Sequence, residues 1–485
     1  MLTSGFDEAA ERLARGAAPA EVLDTSDGRA WIALDLAVRE VAWRWETPAF
    51  GGGSGGRDAL PPQRPAGERE PLAVDSEAGL AFALCHPDGR VREAALARAD
   101  GVPSVLPLIA IRCADWVEPV RDRARALLGA ALPGVGPALL PGLSAVILAV
   151  ARRERGDAAR ESLVETLRGA EPDVLEAVLA SEDRAVRRLA YQISVARGHF
   201  PAARLAAIAA ADADVVIQDV CSEAALAAAG ADTGDDVLLP LLGSRGSRAR
   251  SAGVTALHRT GRHGQAEPFL YDRSPMVRAC ARWVLRQAGT DPLDRYRARC
   301  AEGREAGDLP PGAPVGLAEC GTPADAVLLW PLTRHPRDGV RARAVAGLRL
   351  LAARDLVRLA PLLDDPAPGV VRETATTLVP WAASLPVEEL TARLAEDRPR
   401  HIRTGAFRLL AACDSVECRT VIGRLVDDPD PKLRSAARVL TAYREPARAP
   451  LSTPAPGPAP VTAKADGGGR ARRWLRRLRG GGATG

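Results

Sequence analysis

The chain has 485 residues, of which 47% are hydrophobic but only 4% are aromatic. Its core must therefore be built from Ala, Leu and Val, which favours close-packed helices over sheets. The formal charge of +4 is uneven, because residues 464 to 485 hold one lysine and six arginines against one aspartate. The remaining residues sum to −2, which argues against a protein whose whole surface grips polyphosphate.

The basic and sulfur-containing residues say little about function. All but two of the 65 basic residues are arginines, and there is no asparagine, a bias typical of GC-rich coding. The cysteines stand at 85, 113, 221, 280, 300, 320, 413 and 418, and no two have CxxC spacing. We expect them to be small buried residues in a reducing compartment. The first residues show no basic stretch followed by an apolar one, so a cytoplasmic location is predicted.

The first predicted element is an amphipathic helix. Trp31, Leu34, Val38, Val41 and Trp45 are spaced three or four residues apart, which places them on one helical face. With a shorter segment before it, this helix predicts an N-terminal helical cap over residues 1–46. Residues 47–76 contain a run of glycines followed by prolines and charges, a composition that predicts a flexible loop.

A pattern of aliphatic-Arg-x-x-Ala then recurs along the chain. We call its arginine the anchor. The anchors of the eight clear copies are Arg92, Arg121, Arg187, Arg278, Arg341, Arg372, Arg403 and Arg434, and the last four are 31 residues apart. Degenerate copies lie near Arg160, near Ile217, around Arg248 to Ala252 and at Val315 to Gly321. The interval from first to last has room for about twelve units, and a fixed period of this size indicates a solenoid.

Each unit holds two segments of helical length, and the anchor helix has apolar residues at −1, +3 and +6 or +7. One hairpin cannot bury both apolar stripes, so neighbouring hairpins must stack. The sequence therefore predicts an all-α protein. Residues 77–445 would form a right-handed alpha-solenoid, or superhelix, of about twelve helical hairpins with a period of about 31 residues.

The repeat pattern resembles HEAT repeats, specifically the short bacterial type also found in bilin lyase subunits. It consists of Asp and Pro, then Val-Arg-x-x-Ala, then Leu, Gly and a second helix. The resemblance covers residues 77–445. It implies that an Asp of the turn pairs with an anchor arginine between neighbouring units, which makes a ladder. It says little about function, because HEAT arrays serve many unrelated roles.

The acidic turn DDPDP, residues 427–431, raises the question of catalysis. Similar carboxylates recur at −6 (Asp115, Asp272, Asp397, Asp428) and at −4 (Asp88, Asp183, Asp430, with Ser274 in one copy). Because they recur with the fold, we expect helix capping and ladder pairing. In the last copy, Asp430 should cap, Pro431 should start the helix, and Arg434 should reach across units.

Other motifs for chemistry are weak. His258 and His263, or Cys413 and Cys418, stand five apart, which matches no zinc motif. A literal GxSxG around Ser54 lacks the strand and helix of a nucleophile elbow, and no P-loop is present. No catalytic residue, metal or cofactor is therefore predicted. The uncharged run 126–151 is long enough for a membrane span, but its three prolines favour a helix, a turn and the next helix.

Outward positions of the anchor helices, at +1, +5 and +8, should face what is usually the concave side of such an array. They predict a partner-binding set: Arg188, Gln192, Trp283, Arg286, Arg349 and Arg408. Trp283 has two interpretations, a protein-contact anchor or a side chain that packs against the next repeat.

After the array, residues 446–469 form a Pro/Ala/Gly-rich linker and residues 470–485 a basic tail. As a helix the tail would separate apolar from basic side chains, and it is too short to be stable alone. It would fold on an anionic membrane, nucleic acid or an acidic partner groove, or stay a solubilising tail. The residues that would bind an anionic surface are Arg470, Arg472, Arg473, Trp474, Arg476, Arg477 and Arg479.

The main functional hypothesis is a non-catalytic scaffold or adaptor that binds another protein along the concave face. One alternative is a nucleic-acid-binding protein, including a HEAT-like DNA glycosylase. The other is a cofactor-attaching or modifying subunit like the bilin lyases, which only the repeat type supports.

Overall fold

The structure is a computed structural model that describes residues 4–42, 76–230, 233–303, 308–353 and 355–444. Every regular element within these ranges is a helix, and none of them contains a strand. The chain divides into two compact units, Met1–Arg358 and Leu359–Gly485. The predicted loop 47–76 (apart from Ser76), the linker 446–469 and the tail 470–485 lie outside the described residues.

The helices are short and follow one another closely. The first unit contains α1 Ser4–Ala14, α2 Pro19–Val22, α3 Gly28–Ala42, α4 Glu77–Leu84, α5 Gly89–Leu96, α6 Leu106–Arg112, α7 Glu118–Ala131, α8 Leu140–Val150, α9 Asp157–Gly169, α10 Pro172–Leu179, α11 Arg184–Ala196, α12 Ala202–Ala211, α13 Val215–Ala229, α14 Asp235–Gly243, α15 Ser247–Arg259, α16 Pro275–Gln287, α17 Pro292–Glu302, α18 Gly312–Cys320, α19 Ala326–Leu332 and α20 Asp338–Leu350. Then follow α21 Leu356–Leu359, α22 Pro368–Leu378, α23 Val387–Ala392, α24 Arg400–Ala412, α25 Val416–Arg424 and α26 Pro431–Arg444.

The helices that carry the anchor pattern, which we call anchor helices, stack on one another. In the first unit α5, α7, α9, α11, α13 and α15 pack in succession, and α22, α24 and α26 do so in the second. The predicted core positions are buried, as Val186 and Ala190 of α11 illustrate. The prediction of an all-α solenoid is thus confirmed, and the chain is a helical repeat protein. The number of repeats, their period and the superhelical handedness stay predictions.

The first helices of the chain pack on the start of the array. Helix α1 contacts α3 and α4, and α3 contacts α6 and α8. Trp31 and Leu34 of α3 are buried, whereas Trp45 lies outside the described residues. A Cβ on Gly28 would lie 2.8 Å from the Cβ of Ala145, so the close approach of α3 to α8 requires glycine at this position.

An Arg–Asp ladder of the kind that the resemblance implies is present in part of the array. Arg92 donates from Nε and Nη2 to the carboxylate of Asp115 in the next turn, at 2.9 and 2.7 Å. Its Nη1 donates to the carbonyl oxygens of His86 and Pro87 in its own turn, both at 2.8 Å. One buried guanidinium therefore joins two successive turns.

Three further anchor positions form the same link to the next turn, and one of them, Arg187 of α11, pairs with Asp212 ahead of α13. Arg250 donates to both oxygens of Asp272 at 2.8 Å, and Arg403 donates to Asp428 at 2.5 Å. In α13 the anchor place is taken by Gln218, whose amide donates to a carbonyl six residues earlier at 2.7 Å. The carbonyl contact thus survives even where the arginine is lost.

The expectation for Arg434 was wrong. Its Nη1 donates to the carbonyl oxygen of Asp428, at 2.6 Å, within its own turn rather than across units. The carboxylate of Asp428 accepts instead from Arg403 of the preceding anchor helix. Asp430 caps α26 as predicted, since it accepts from the backbone N–H of Lys432 at 2.8 Å.

Within the described residues, one predicted ladder pair and one predicted helix cap do not form. Arg372 has a side chain that is 69% exposed, and Asp397, its expected acceptor, is exposed as well. Ser274 stands at the N-cap of α16 but its side chain accepts no capping bond. The pattern therefore predicts where a polar residue stands in the turn, but not which contact it makes.

A buried network that the pattern did not predict extends the ladder into the first helices. Arg112 of α6 bonds Asp35 of α3, and its Nη1 lies 3.3 Å from Asp115, which Arg92 also binds. All four side chains are almost completely buried. Removing one partner of such a network leaves a buried charge uncompensated, which typically costs about 3–5 kcal/mol.

Candidate functional site: an arginine cleft

The anchor-helix face of the first unit opens into a cleft of about 640 Å³. The end of α8 and the start of α9 form one wall, and the start of α11 forms the other. Its lining comprises four arginines, four apolar side chains and two further polar ones: Arg152, Arg160, Arg184, Arg188, Leu148, Ala151, Ala185, Leu189, Asp157 and Gln192. We call this site the arginine cleft.

The α11 wall is held in place by one carboxylate. Arg184 and Arg188 lie one helical turn apart, and the Nε of each donates to Asp214 at 3.0 Å. Asp214 also caps α13, because it accepts from the backbone N–H of Val216 at 2.9 Å. Burial raises the pKa of Asp214, but these hydrogen bonds outweigh burial and leave the pKa well below its usual range. The carboxylate therefore stays ionised and fixes both guanidinium groups.

The opposite wall depends on a tight turn between α8 and α9. A Cβ on Gly156 would lie 2.2 Å from the carbonyl oxygen of Val150, so only glycine fits there. The carbonyl oxygen of Arg155 in this turn accepts from Arg125 of α7 at 2.8 Å. This turn sets Arg152 and Arg160 on the cleft, and neither has an acidic partner within the described part of the chain.

Arg160 lacks a ladder partner for a reason visible in the sequence. It is the anchor of α9, with Ala159 and Leu163 buried at −1 and +3. The ladder acceptor belongs at −6 of the next anchor helix, where Asp115, Asp212, Asp272 and Asp428 stand in other turns, but this turn has Ser181. Ser181 accepts from the backbone N–H of Asp183 at 3.2 Å, which replaces the turn-forming role of Asp but not its charge. The guanidinium of Arg160 is exposed at the cleft instead.

The structure brings together only part of the predicted partner-binding set. Arg188 and Gln192 line the arginine cleft. Trp283 of α16 is 43% exposed, and its ring meets His258 edge-on, with centroids 4.9 Å apart. Since His258 lies on α15, Trp283 packs against the preceding anchor helix rather than the next repeat. Arg286 is exposed near the end of α16.

The remaining predicted residues lie elsewhere. Arg349 is half-buried in the last turn of α20. Arg408 of α24, in the second unit, donates to the hydroxyl of Thr376 on α22 at 2.8 Å. The tail residues, Arg470 to Arg479 with Trp474, lie outside the described residues.

The second unit has a groove of about 600 Å³ between α24 and α26. It is lined mainly by Phe407, Ala411, Ala436, Val439 and Leu440, with Lys432 at its edge. Val439 is 68% exposed. We call this site the apolar groove.

The groups considered for chemistry are placed as follows. Within the described ranges, no three His, Cys, Asp or Glu side chains come close enough to hold a metal ion. His258 and His263 instead form a hydrogen-bonded pair at 3.0 Å. Burial raises the pKa of Cys113, Cys221 and Cys300 to about 12, so these thiols are protonated at neutral pH.

The uncharged run 126–151 is divided between α7, a short turn and α8. Across the described ranges, no helix has both the length and the apolar character that crossing a bilayer requires.

The outward positions +1, +5 and +8 do not include three arginines of the cleft, so the sequence did not predict them as partner-binding residues. These are Arg152, Arg160 and Arg184. Arg184 opens α11, Arg152 follows α8, and Arg160 is itself an anchor. The absence of Asp at position 181 is the signal that could have found Arg160.

The stacked hairpins and the ladder define the class as a helical repeat protein. No protein-family model matches the chain, and no curated protein matches it. Among solved structures, the chain is similar to the karyopherin Kap121p bound to the extreme C-terminus of the protein phosphatase Cdc14p, with 14% identity, a TM-score of 0.32, and coverage of 73% of this chain and 48% of that one. Kap121p bound to RanGTP gives 14% identity, a TM-score of 0.29, and coverage of 75% and 48%.

The Escherichia coli protein YibA is also similar, with 14% identity, a TM-score of 0.24, and coverage of 58% of this chain and 96% of that one. The chain spans about half the length of the karyopherin structures. Likeness at this level assigns no family, so the fold rests on the helices and the ladder described above.

Proposed function

We propose that the protein is a non-catalytic scaffold that binds another protein through the exposed face of its anchor helices. The observation that carries the proposal is the arginine cleft between α9 and α11. It is concave, four apolar side chains form part of its lining, and Asp214 holds two of its arginines in place. Sites that bind partners or ligands usually combine these three properties.

A separate part of the anchor-helix face supports the same function. Trp283 and Arg286 are exposed on α16, and tryptophan and arginine dominate the binding energy of many protein interfaces. Trp283 is held by its edge-on contact with His258, so a partner would meet an ordered ring. A rigid aromatic side chain loses little entropy on binding.

Site-specific photo-crosslinking in the native host tests this function. A photoreactive residue at Gln192 or at Trp283 should give a discrete adduct with the same protein. The matched controls are Leu239 on α14 and Val327 on α19, which are 60% and 70% exposed but lie on the other helices of their hairpins. Adducts at all four positions, or none at the two anchor-face positions, would count against the proposal.

A further inference from the structure

The arginine cleft has four arginines against two carboxylates, Asp157 in its lining and Asp214 behind α11, so positive charge is in excess. Arg184 and Arg188 share the single charge of Asp214. Arg152 and Arg160, on the opposite wall, are exposed and have no acidic partner in the described ranges. Repulsion among several guanidinium groups around one cleft is relieved when an anion binds between them.

Four apolar side chains also line the arginine cleft, and we call them its floor. Leu148, Ala151 and Ala185 are half-buried, and Leu189 is 7% exposed. An occupant that met only the arginines would leave this floor in contact with water. Covering it adds roughly 25 cal/mol for each Å² of apolar surface that is buried.

We propose that the arginine cleft binds an acidic peptide segment that carries an apolar side chain between its carboxylates. This inference rests on the proposed scaffold function, because the segment would belong to the partner protein. Guanidinium groups bind carboxylates through paired, charge-assisted hydrogen bonds. Asp214 already orders Arg184 and Arg188, which lowers the entropy cost of binding.

A nucleic acid fits this site less well. A phosphate backbone would match the arginines but has no apolar group to cover Leu148 and Leu189. The chain outside residues 464 to 485 also sums to a charge of −2, so it lacks the broad basic surface that follows a polyanion.

The test measures binding of a fluorescent peptide to the full chain by anisotropy. The probe is a short peptide of alternating Glu and Leu. The comparison probes are a peptide of Glu and Gly, a peptide of Lys and Leu, and single-stranded and duplex DNA. We expect the Glu–Leu peptide to bind more tightly than the other probes, and its affinity to fall as salt is added.

The decisive variant reverses the two unpartnered arginines, Arg152→Glu with Arg160→Glu. Both side chains are exposed, so the fold should be unaffected. The matched control is Arg123→Glu with Arg343→Glu, exposed positions on α7 and α20 of the same unit. Net charge changes equally in the two proteins, and both keep the C-terminal arginines, so any binding by the tail contributes equally.

We expect the cleft variant to bind the Glu–Leu peptide about tenfold more weakly, and the control to bind within about twofold of the parent. Equal loss in both variants, or tighter binding of DNA that the cleft variant abolishes, would overturn the proposal. If crosslinks at Gln192 and Trp283 persist while the cleft variant binds normally, the scaffold function survives and only the acidic segment is rejected. Peptide binding without any crosslinked partner would reject the scaffold and keep the cleft.

Discussion

The arginine cleft of the first unit and the apolar groove of the second are similar in size and opposite in chemistry. Their volumes are about 640 and 600 Å³, and each lies between successive anchor helices of its own unit. Four arginines surround the cleft, whereas the groove has an exposed apolar lining with Lys432 at its edge. The same structural position in the repeat therefore accommodates two different kinds of surface.

Part of the difference arises at outward positions, while the inward positions stay alike. Arg188 and Gln192 stand at +1 and +5 of α11, and Ser435 and Val439 stand at +1 and +5 of α26. The buried residues at −1 and +3 are aliphatic in both helices. One side of each anchor helix thus stabilises the stack, and the other side can change without disturbing it.

The largest expected effect tests the stabilising side, within the second unit. Arg403→Ala should lower the free energy of unfolding by about 3–5 kcal/mol, because it leaves the buried carboxylate of Asp428 uncompensated. Arg372→Ala, at the same position of the preceding anchor helix, should change it by less than about 0.5 kcal/mol, since that side chain is 69% exposed. Urea denaturation of both variants measures the difference.

A double variant separates charge from packing in this prediction. Arg403→Leu with Asp428→Leu should lose less stability than Arg403→Ala, because no unpaired charge is left in the interior. Equal losses for Arg403→Ala and Arg372→Ala would show that the ladder does not stabilise the stack.

Much of the fold follows from the sequence, because the stacking requirement repeats. Each anchor helix must bury the same apolar stripe, so residues equivalent to Val186 and Ala190 recur along the chain. The solenoid can be predicted from this recurrence. The ladder was harder to predict, because it depends on the turn that follows. Arg403 and Arg372 have the same local sequence pattern, yet only Arg403 is buried beside its carboxylate.

The candidate site was predicted less well than the fold. The outward positions found Arg188 and Gln192, but Arg152 comes from a turn and Arg160 from an anchor position that the pattern assigns to the ladder. Arg152 and Arg160 stand on either side of the close turn that Gly156 allows, and the sequence pattern does not predict that turn. Trp283 shows the same limit, since its packing against His258 depends on a neighbouring helix.

The next effect tests the apolar groove. Anilinonaphthalene sulfonate, an anionic dye that binds exposed apolar surface, should bind between α24 and α26 near Lys432. Val439→Asp should weaken this binding about tenfold by placing a carboxylate on the apolar lining. The control, Val416→Asp on α25, changes a residue that is 64% exposed outside the groove and should bind the dye normally. Reduced fluorescence in both variants would mean that the dye binds elsewhere.

A smaller effect concerns pH and the carboxylate that orders the arginine cleft. Burial raises the pKa of Asp214, but its hydrogen bonds from Arg188, Val216 and Arg184 lower it more. A carboxylate whose pKa is lowered by folding stabilises the folded state at pH values above its unfolded-state pKa of about 3.9. This stabilisation is lost as the pH falls toward the folded-state pKa. Asp214→Asn should thus lower the free energy of unfolding by about 1 kcal/mol near pH 7 and by progressively less below about pH 4. The expected loss is small because Arg184 is largely exposed to solvent.

Denaturation midpoints across the acidic range check this expectation. Asp122→Asn is the control, because its side chain is 61% exposed and lies 3.8 Å from Arg121. A stability difference between Asp214→Asn and the parent that stays constant from neutral to acid pH would contradict it.

The smallest effect tests why the arginine cleft differs from its neighbours. Ser181→Asp places at −6 the carboxylate that several other turns have there, so it should draw Arg160 into a ladder pair and away from the cleft. Stability should rise by less than about 1 kcal/mol, and binding of the Glu–Leu peptide should weaken by a few fold. Ser181→Asn keeps the turn-forming acceptor without the charge and should bind the peptide as the parent does. One substitution would then weaken peptide binding and raise stability together. Unchanged peptide binding in Ser181→Asp would show that Arg160 does not contribute to the cleft because its ladder acceptor is missing.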